Sequence, residues 1–248
     1  LGGTAEARRL AGRLAARADL DVTLSLAGRT ASPARQPVPA RSGGFGGVAG
    51  LVNYLNKERI DAIIDATHPY ASVISEHAVA AAGYANVPLV ELLRPPWIAI
   101  AGDRWTDVGG VREAVHMLAA APRRVFVALG RNELAPFDEA PQHFYLIRSV
   151  DPVDPPLALP HVSYVTGRGP FGEAEDHALM SAHAIDIVVA KNSGGTATYG
   201  KIAAARALGI SVIMMRRPPP PDAPSVETVE DAIAWLDHTL ISAAARGV

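Results

Sequence analysis

The chain has 248 residues, room for one large domain or two small α/β domains. Its 49% hydrophobic and 6% aromatic content suits Val/Ile/Ala-rich parallel sheets under alanine-rich helices, and its 23 basic against 25 acidic residues argue against bulk attraction to nucleic acid. There is no cysteine, which excludes disulfides, thiolate nucleophiles and cysteine-ligated metal sites, and no apolar run is long enough to cross a membrane.

In chain order, Leu1-Gly2-Gly3-Thr4-Ala5-Glu6 reads as the end of a strand turning into a helix, with Ala7, Leu10, Ala11 and Leu14 as its apolar stripe. Several apolar residues of that strand are expected to precede Leu1. The glycines there suit either a phosphate-binding turn or a plain strand–helix turn, since the pattern is shorter than the full dinucleotide fingerprint. Val22 to Ala27 is a second strand ending in Gly28-Arg29-Thr30. An acid at that strand end selects NAD and an arginine accommodates a 2′-phosphate, so Arg29 points to NADP unless it is a solvated surface residue. Ser42-Gly43-Gly44-Phe45-Gly46-Gly47 is a flexible linker or, given Phe45, a packed loop. A helix with the stripe Val48, Leu51, Val52 and Leu55 follows.

Ile60 to Ile64 is a strand buried on both faces, and Asp65, Thr67, His68 and Pro69 stand at its mouth, where open α/β sheets bind ligands. His68 there could cap the next helix, contact a cofactor or transfer a proton; no carboxylate partner for it is evident. The helix from Ala71 to Ala82 and the strand from Pro88 to Leu92 complete the unit, with Ala101-Gly102-Asp103-Arg104 as the best linker.

The second part of the chain echoes the first. Ile60 aligns with Ile185 and Pro95 with Pro218; Leu129-Gly130-Arg131-Asn132 loosely copies Leu1-Gly2-Gly3-Thr4; Tyr164 to Gly169 copies Ser25 to Thr30; and Phe171-Gly172 copies Phe45-Gly46. The order of these motifs predicts an α/β fold of two Rossmann-like halves, residues 1–100 and 101–248, with mainly parallel sheets and related by an internal repeat. In the second half the strand mouths carry Arg131, Arg168 and Lys191-Asn192-Ser193-Gly194, with Lys201 in the following helix. These cations and donors suit carboxylates or phosphates, although Lys201 alone reads equally as an exposed helix lysine. Val229, Ala232, Ile233 and Leu236 mark a last amphipathic helix.

Gly2-Gly3-Thr4-Ala5-Glu6-Ala7-Arg8, Gly28-Arg29-Thr30, Asp65-Ala66-Thr67-His68-Pro69-Tyr70-Ala71 and Lys191-Asn192-Ser193-Gly194-Gly195 together resemble the precorrin-6A reductases of cobalamin biosynthesis, and the resemblance covers nearly the whole chain. It implies an NADPH-dependent reduction of a tetrapyrrole, precorrin-6A to precorrin-6B, with hydride delivered to one ring carbon and a proton to its neighbour; with no secretory signal visible, a cytoplasmic location is the expected default. It further implies that the first half holds NADPH through Gly2, Gly3, Thr4, Glu6, Gly28, Arg29, Thr30, Gly43, Gly44, Phe45, Thr67, His68 and Pro69. The many carboxylates of the substrate would then give Arg131, Arg168, Lys191, Asn192, Ser193, Gly194 and Lys201 a purpose, in a cleft between the halves. No catalytic dyad, metal, nucleic acid or membrane is implied, and the oligomeric state is left open. The residues alone also fit an NADP-dependent reductase of another anionic metabolite, or a non-enzymatic two-domain ligand-binding protein.

Overall fold

The computed structural model describes residues 1–28 and 34–245. In chain order the elements are α1 (Ala5–Leu14), β1 (Leu24–Leu26), β2 (Ala40–Ser42), α2 (Gly47–Lys57), β3 (Ile63–Asp65), α3 (Ser72–Ala85), β4 (Leu89–Leu92) and β5 (Trp105–Val108). They continue with α4 (Val111–Met117), β6 (Arg124–Ala128), two short 3₁₀ turns, β7 (Phe144–Ser149), β8 (Val162–Thr166), α5 (Glu173–Ala182) and β9 (Ile187–Lys191). Last come α6 (Gly200–Leu208), β10 (Ser211–Met215), β11 (Ser225–Val226) and α7 (Val229–Ala245).

The chain forms two compact units, Leu1–Pro95 together with the segment that starts at Pro218, and Pro96–Arg217. In the first, β1 pairs with β2, and β3, β4 and β11 form a second parallel ladder. Leu1 and Gly2 lie between these ladders. The Leu1 nitrogen donates to Ile64 O at 2.8 Å, the Ala66 N–H to Leu1 O at 3.0 Å and the Gly2 N–H to Ser25 O at 2.9 Å. The order is therefore β2, β1, Leu1-Gly2, β3, β4, β11. The second unit holds a six-stranded sheet in the order β5-β10-β9-β6-β7-β8, with every pairing parallel. In both units the chain runs outward from a central strand on one side and returns to its other side. That reversal opens a crevice at the carboxyl ends of the strands, beside Gly2 and Asp65 in one unit and beside Ala128 and Lys191 in the other.

The α/β class with mainly parallel sheets is as expected, but two parts of the expected organisation need correction. The second half does not run to residue 248. The apolar face of α7, with Val229, Ala232 and Leu236 buried, packs with Ala7, Leu10 and Leu14 of α1 and with Leu24 and Leu92. Strand β11 completes the first unit's sheet, with the Leu93 N–H donating to Val226 O at 2.8 Å. Nor is 101–104 a linker, because Asp103 accepts from Arg206 Nε at 2.9 Å and Arg104 donates to Gly209 O at 2.9 Å, all inside the second unit. The motif register also shifts in two places. Gly167-Arg168 follows the edge strand β8, whereas Gly28 follows β1, which lies next to the central strand. Gly130 leads into a 3₁₀ turn over Arg131–Glu133 rather than into an α-helix.

Two carboxyl groups are buried in the first unit's sheet. Asp65 on β3 stands in register with Glu91 on β4, so both side chains leave the same face, at 3% and 5% exposure. Asp65 accepts the Thr67 N–H at 3.0 Å, while Asp65 Oδ2 and Glu91 Oε2 lack hydrogen-bond partners. Burial, with the Asp65 charge adding to it, pushes the Glu91 carboxyl up to about 7. The folded state therefore holds this proton more tightly than the unfolded chain does. Its contribution to stability is complete below the unfolded value near 4.5 and is lost as pH rises through 7.

Glu91→Gln should leave stability nearly unchanged at pH 4.5 and raise it at pH 8 by as much as about 3 kcal/mol. Urea unfolding at both pH values checks this, and equal effects at the two would contradict it. Leu236→Ala should cost about 2–3 kcal/mol through the cavity it leaves. Hydrogen exchange should then quicken in α1 and β4 and stay unchanged in β6 and β9; faster exchange in the second unit instead would refute the assignment of α7.

Candidate functional site

The first unit's crevice is built by two loops. The chain leaves its central strand at Gly2, where a Cβ would lie 2.6 Å from Leu24 Cδ1 and 3.1 Å from Ala7 Cβ, so any larger residue would have to displace the Leu24 side chain. Gly3 follows at φ 120°, in the region that favours glycine. Thr4 then caps α1, its Oγ1 accepting the Ala7 N–H at 3.0 Å and donating to Ala66 O at 2.8 Å. That second bond ties the glycine turn to Ala66-Thr67-His68-Pro69 beyond β3. Thr67 Oγ1 lies 3.2 Å from Ser75 Oγ, and His68 Nδ1 accepts the Tyr70 N–H at 3.3 Å, which orients the ring. Glu6, in the first turn of α1, is ion-paired with Arg94 at 2.6 Å, both largely buried. Burial lowers the Arg94 pKa and the Glu6 carboxylate opposes that shift.

On the β1–β2 side, Gly28 has φ 74° and sits so close to the next loop that a Cβ would approach Gly43 N to 3.3 Å. The Gly43 N–H donates to Leu26 O at 3.0 Å, while a Cβ on Gly43 or Gly44 would meet open space. The Arg41 guanidinium of β2 lies over the Phe45 ring, its central carbon 3.9 Å from the ring centroid. It donates to Ser25 Oγ at 2.7 Å and to Gly44 O at 3.2 Å. Arg29 and Thr30 lie outside the described residues.

In the second unit, Lys191 ends β9 and its ammonium pairs with Glu133, whose Oε2 also accepts the Gly130 N–H at 3.3 Å. The Asn192 amide is occupied by a backbone clamp: its Oδ1 accepts the Trp97 N–H at 2.7 Å and its Nδ2 donates to Trp97 O at 2.9 Å. Ser193 Oγ is 3.1 Å from Thr198 Oγ1, and Gly194 and Gly195 take left-handed conformations that bring Gly195 O within 2.7 Å of Trp97 Nε1. Arg131 and Arg168 are exposed, Arg168 with Asp151 at 4.0 Å.

Lys201 differs from its expected place. It is neither an open cation at a strand mouth nor an exposed helix lysine, but 3% exposed, donating to Thr198 O at 2.6 Å beneath the Trp97 ring. Burial, with Arg148 adding and Asp176 opposing, pushes its pKa down to about 7. Arg148 and Asp176 form a buried ion pair, with Arg148 stacked 3.8 Å over the Phe171 ring.

The structure thus brings Gly2, Gly3, Thr4, Thr67, His68 and Pro69 to one crevice, with Gly28, Gly43, Gly44 and Phe45 on its β1–β2 flank. Sequence reasoning missed Arg41, Arg94, Arg148, Asp176 and Trp97. Arg41, directly before Ser-Gly-Gly, offered a local signal; the partners of the others are remote in the chain. Among the described residues no three His, Asp or Glu side chains converge as a metal site, and no helix is long and apolar enough to cross a membrane.

Comparison with known proteins identifies the family. Residues 1–237 match the family model described as precorrin-6x reductase CbiJ/CobK. A precorrin-6A reductase from Sinorhizobium sp is 53% identical over 98% of this chain and 93% of its own length. That of Rhodobacter capsulatus is 49% identical, covering 100% of this chain and 98% of the relative. The solved structure titled CobK precorrin-6A reductase superimposes with a TM-score of 0.92 at 48% identity, covering 96% of this chain and 94% of that one. A family match across nearly the full length, with a fold agreement this close, places the chain in the precorrin-6A reductase family, the oxidoreductases of cobalamin biosynthesis.

Proposed function

We propose that the chain reduces precorrin-6A to precorrin-6B with NADPH, the first unit holding the dinucleotide and the second holding the carboxylates of the tetrapyrrole. The observation that carries the cofactor assignment is the Thr4-capped glycine turn at the point where the first unit's strand order reverses. Thr4 satisfies the Ala7 N–H, which leaves the earlier first-turn N–H groups to receive a pyrophosphate. Glu6 stands in that first turn, but its ion pair with Arg94 neutralises the repulsion it would exert on the anion. Gly28, Gly43, Gly44 and Phe45, with Arg29 and Thr30, are assigned to the adenosine side, and Thr67, His68 and Pro69 to the wall beyond β3. When bound, the nicotinamide supplies the hydride.

On the substrate side, Arg131, Arg168 and Lys191 are proposed to receive carboxylates. Lys191 is held at the mouth of β9 by Glu133 and by the loop that Asn192, Ser193 and Gly194 shape around Trp97. Lys201 is proposed to support that loop from below rather than to meet the macrocycle, because its ammonium is buried against Thr198 O.

Addition of precorrin-6A to the chain with NADPH should produce stoichiometric NADPH oxidation, followed spectrophotometrically. Arg131→Ala and Arg168→Ala should each raise KM for the tetrapyrrole by roughly tenfold with kcat retained, as expected for contacts shared by ground and transition states. Lys191→Ala should raise KM and also lower kcat, since it stands nearest the mouth of the central strands. NADPH affinity, measured separately, should be unchanged in all three. Normal KM values throughout would place the substrate elsewhere.

A further inference from the structure

We infer that Arg41 is the specificity-determining residue of the cofactor site, receiving the adenosine 2′-phosphate and so selecting NADPH over NADH. The inference rests on the proposed dinucleotide site in the first unit and deepens it.

The position is the first reason. In a mononucleotide-binding unit the strand that follows the glycine-turn helix ends beside the adenosine ribose. Here that strand is β1, whose end, Leu26-Ala27-Gly28, carries no acid to receive ribose hydroxyls. Arg41 stands on the neighbouring strand, in register with Ser25 of β1. Its guanidinium reaches Gly44 O, past the end of β2.

Charge is the second reason. The guanidinium is held by a hydroxyl and a carbonyl, both neutral. Three other arginines of the unit are compensated, Arg94 by Glu6, Arg13 by Glu230, and Arg17 by Asp19 and Asp237, and none of these three stands at the β1–β2 strand ends. Among the described residues no carboxylate lies within ion-pair distance of Arg41, so its full charge is offered to a ligand at the strand ends. A guanidinium uses only two of its five N–H donors on these contacts, which leaves others for a phosphate oxygen.

Preorganisation is the third reason. Stacking on Phe45 and the bond to Ser25 Oγ fix the plane of the guanidinium before any ligand arrives, so little side-chain freedom remains to be lost on binding. The open space over Gly43 and Gly44 leaves room for a phosphate beside it.

The test measures dissociation constants of the full chain for NADPH, NADH, 2′,5′-ADP and 5′-AMP. Arg41→Gln keeps a donor for Ser25 and removes the charge. It should weaken NADPH and 2′,5′-ADP about ten- to a hundredfold and change NADH and 5′-AMP less than twofold. Arg41→Lys, which keeps the charge without the planar fork, should fall between the two. Equal loss for phosphorylated and unphosphorylated ligands would overturn the inference, showing that Arg41 only shapes the Gly43-Gly44 loop. Unchanged NADPH binding in Arg41→Gln, with the loss appearing in Arg29→Ala instead, would also overturn it and pass the role to Arg29. If Arg41→Gln does not fold, the lysine variant decides: equal weakening of phosphorylated and unphosphorylated ligands in it would overturn the inference. A wild-type chain with no preference for NADPH over NADH would refute the cofactor assignment itself, an outcome visible before any variant is made.

Discussion

The first unit's crevice depends on one hydroxyl. Thr4 Oγ1 accepts from the Ala7 N–H, which starts α1, and donates to Ala66 O, which anchors the loop beyond β3. The two loops belong to strands on either side of the point where the chain reverses its order, and this bond joins a side chain of one to the backbone of the other. Without that bond the glycine turn could still form, but its distance from Thr67 and His68 would not be set. The glycines supply freedom and Thr4 removes it where a ligand needs a fixed frame.

The two units bury charge in different ways. In the first, Asp65 and Glu91 are two buried acids paired across neighbouring strands, and burial together with the Asp65 charge gives Glu91 a carboxyl that keeps its proton near neutrality. In the second, Arg148 and Asp176 compensate each other, and Lys201 is the surplus cation whose proton is loosened by the same burial. A buried ion pair tolerates its desolvation only when geometry is good, and the Phe171 and Phe126 rings against Arg148 supply that confinement. These charged groups lie inside the sheets and helices, whereas the exposed Arg131 and Arg168 lie on the connections beyond β6 and β8.

The Lys-Asn-Ser-Gly-Gly motif shows how one stretch divides its work. Lys191 keeps its ammonium at the strand mouth, whereas Asn192 and Gly195 hold the backbone and indole of Trp97. An amide can satisfy a donor and an acceptor at once, which is why asparagine suits a two-point clamp on a peptide unit. Trp97 in turn covers Lys201. The motif thus builds its own scaffold as well as presenting a cation.

Local pattern alone determined the α/β class, most of the helices and most of the central strands, but not α5, whose residues show no clear stripe, or β7, whose apolar run is cut short by Arg148. A stripe such as Ala7, Leu10, Ala11 and Leu14 needs only the helical period to be read, and runs such as Val188 to Ala190 need only continuous apolar character. The glycine turn and the loop after β3 were legible for the same reason: each places its chemistry within a few consecutive residues. The short strands β2, β5 and β11 were not, because two to four residues at a sheet edge carry no distinct periodicity. Membership of the units was decided by tertiary packing, since nothing local in Val229 to Leu236 says that its partners are Leu10 and Leu92. The same holds for the electrostatics. Glu6 and Arg94 lie 88 residues apart, and Lys201 turned from a helix cation into a buried one only when Trp97, Arg148 and Asp176 closed around it. Periodicity is a property of neighbours in the chain, whereas burial and charge compensation are properties of neighbours in space.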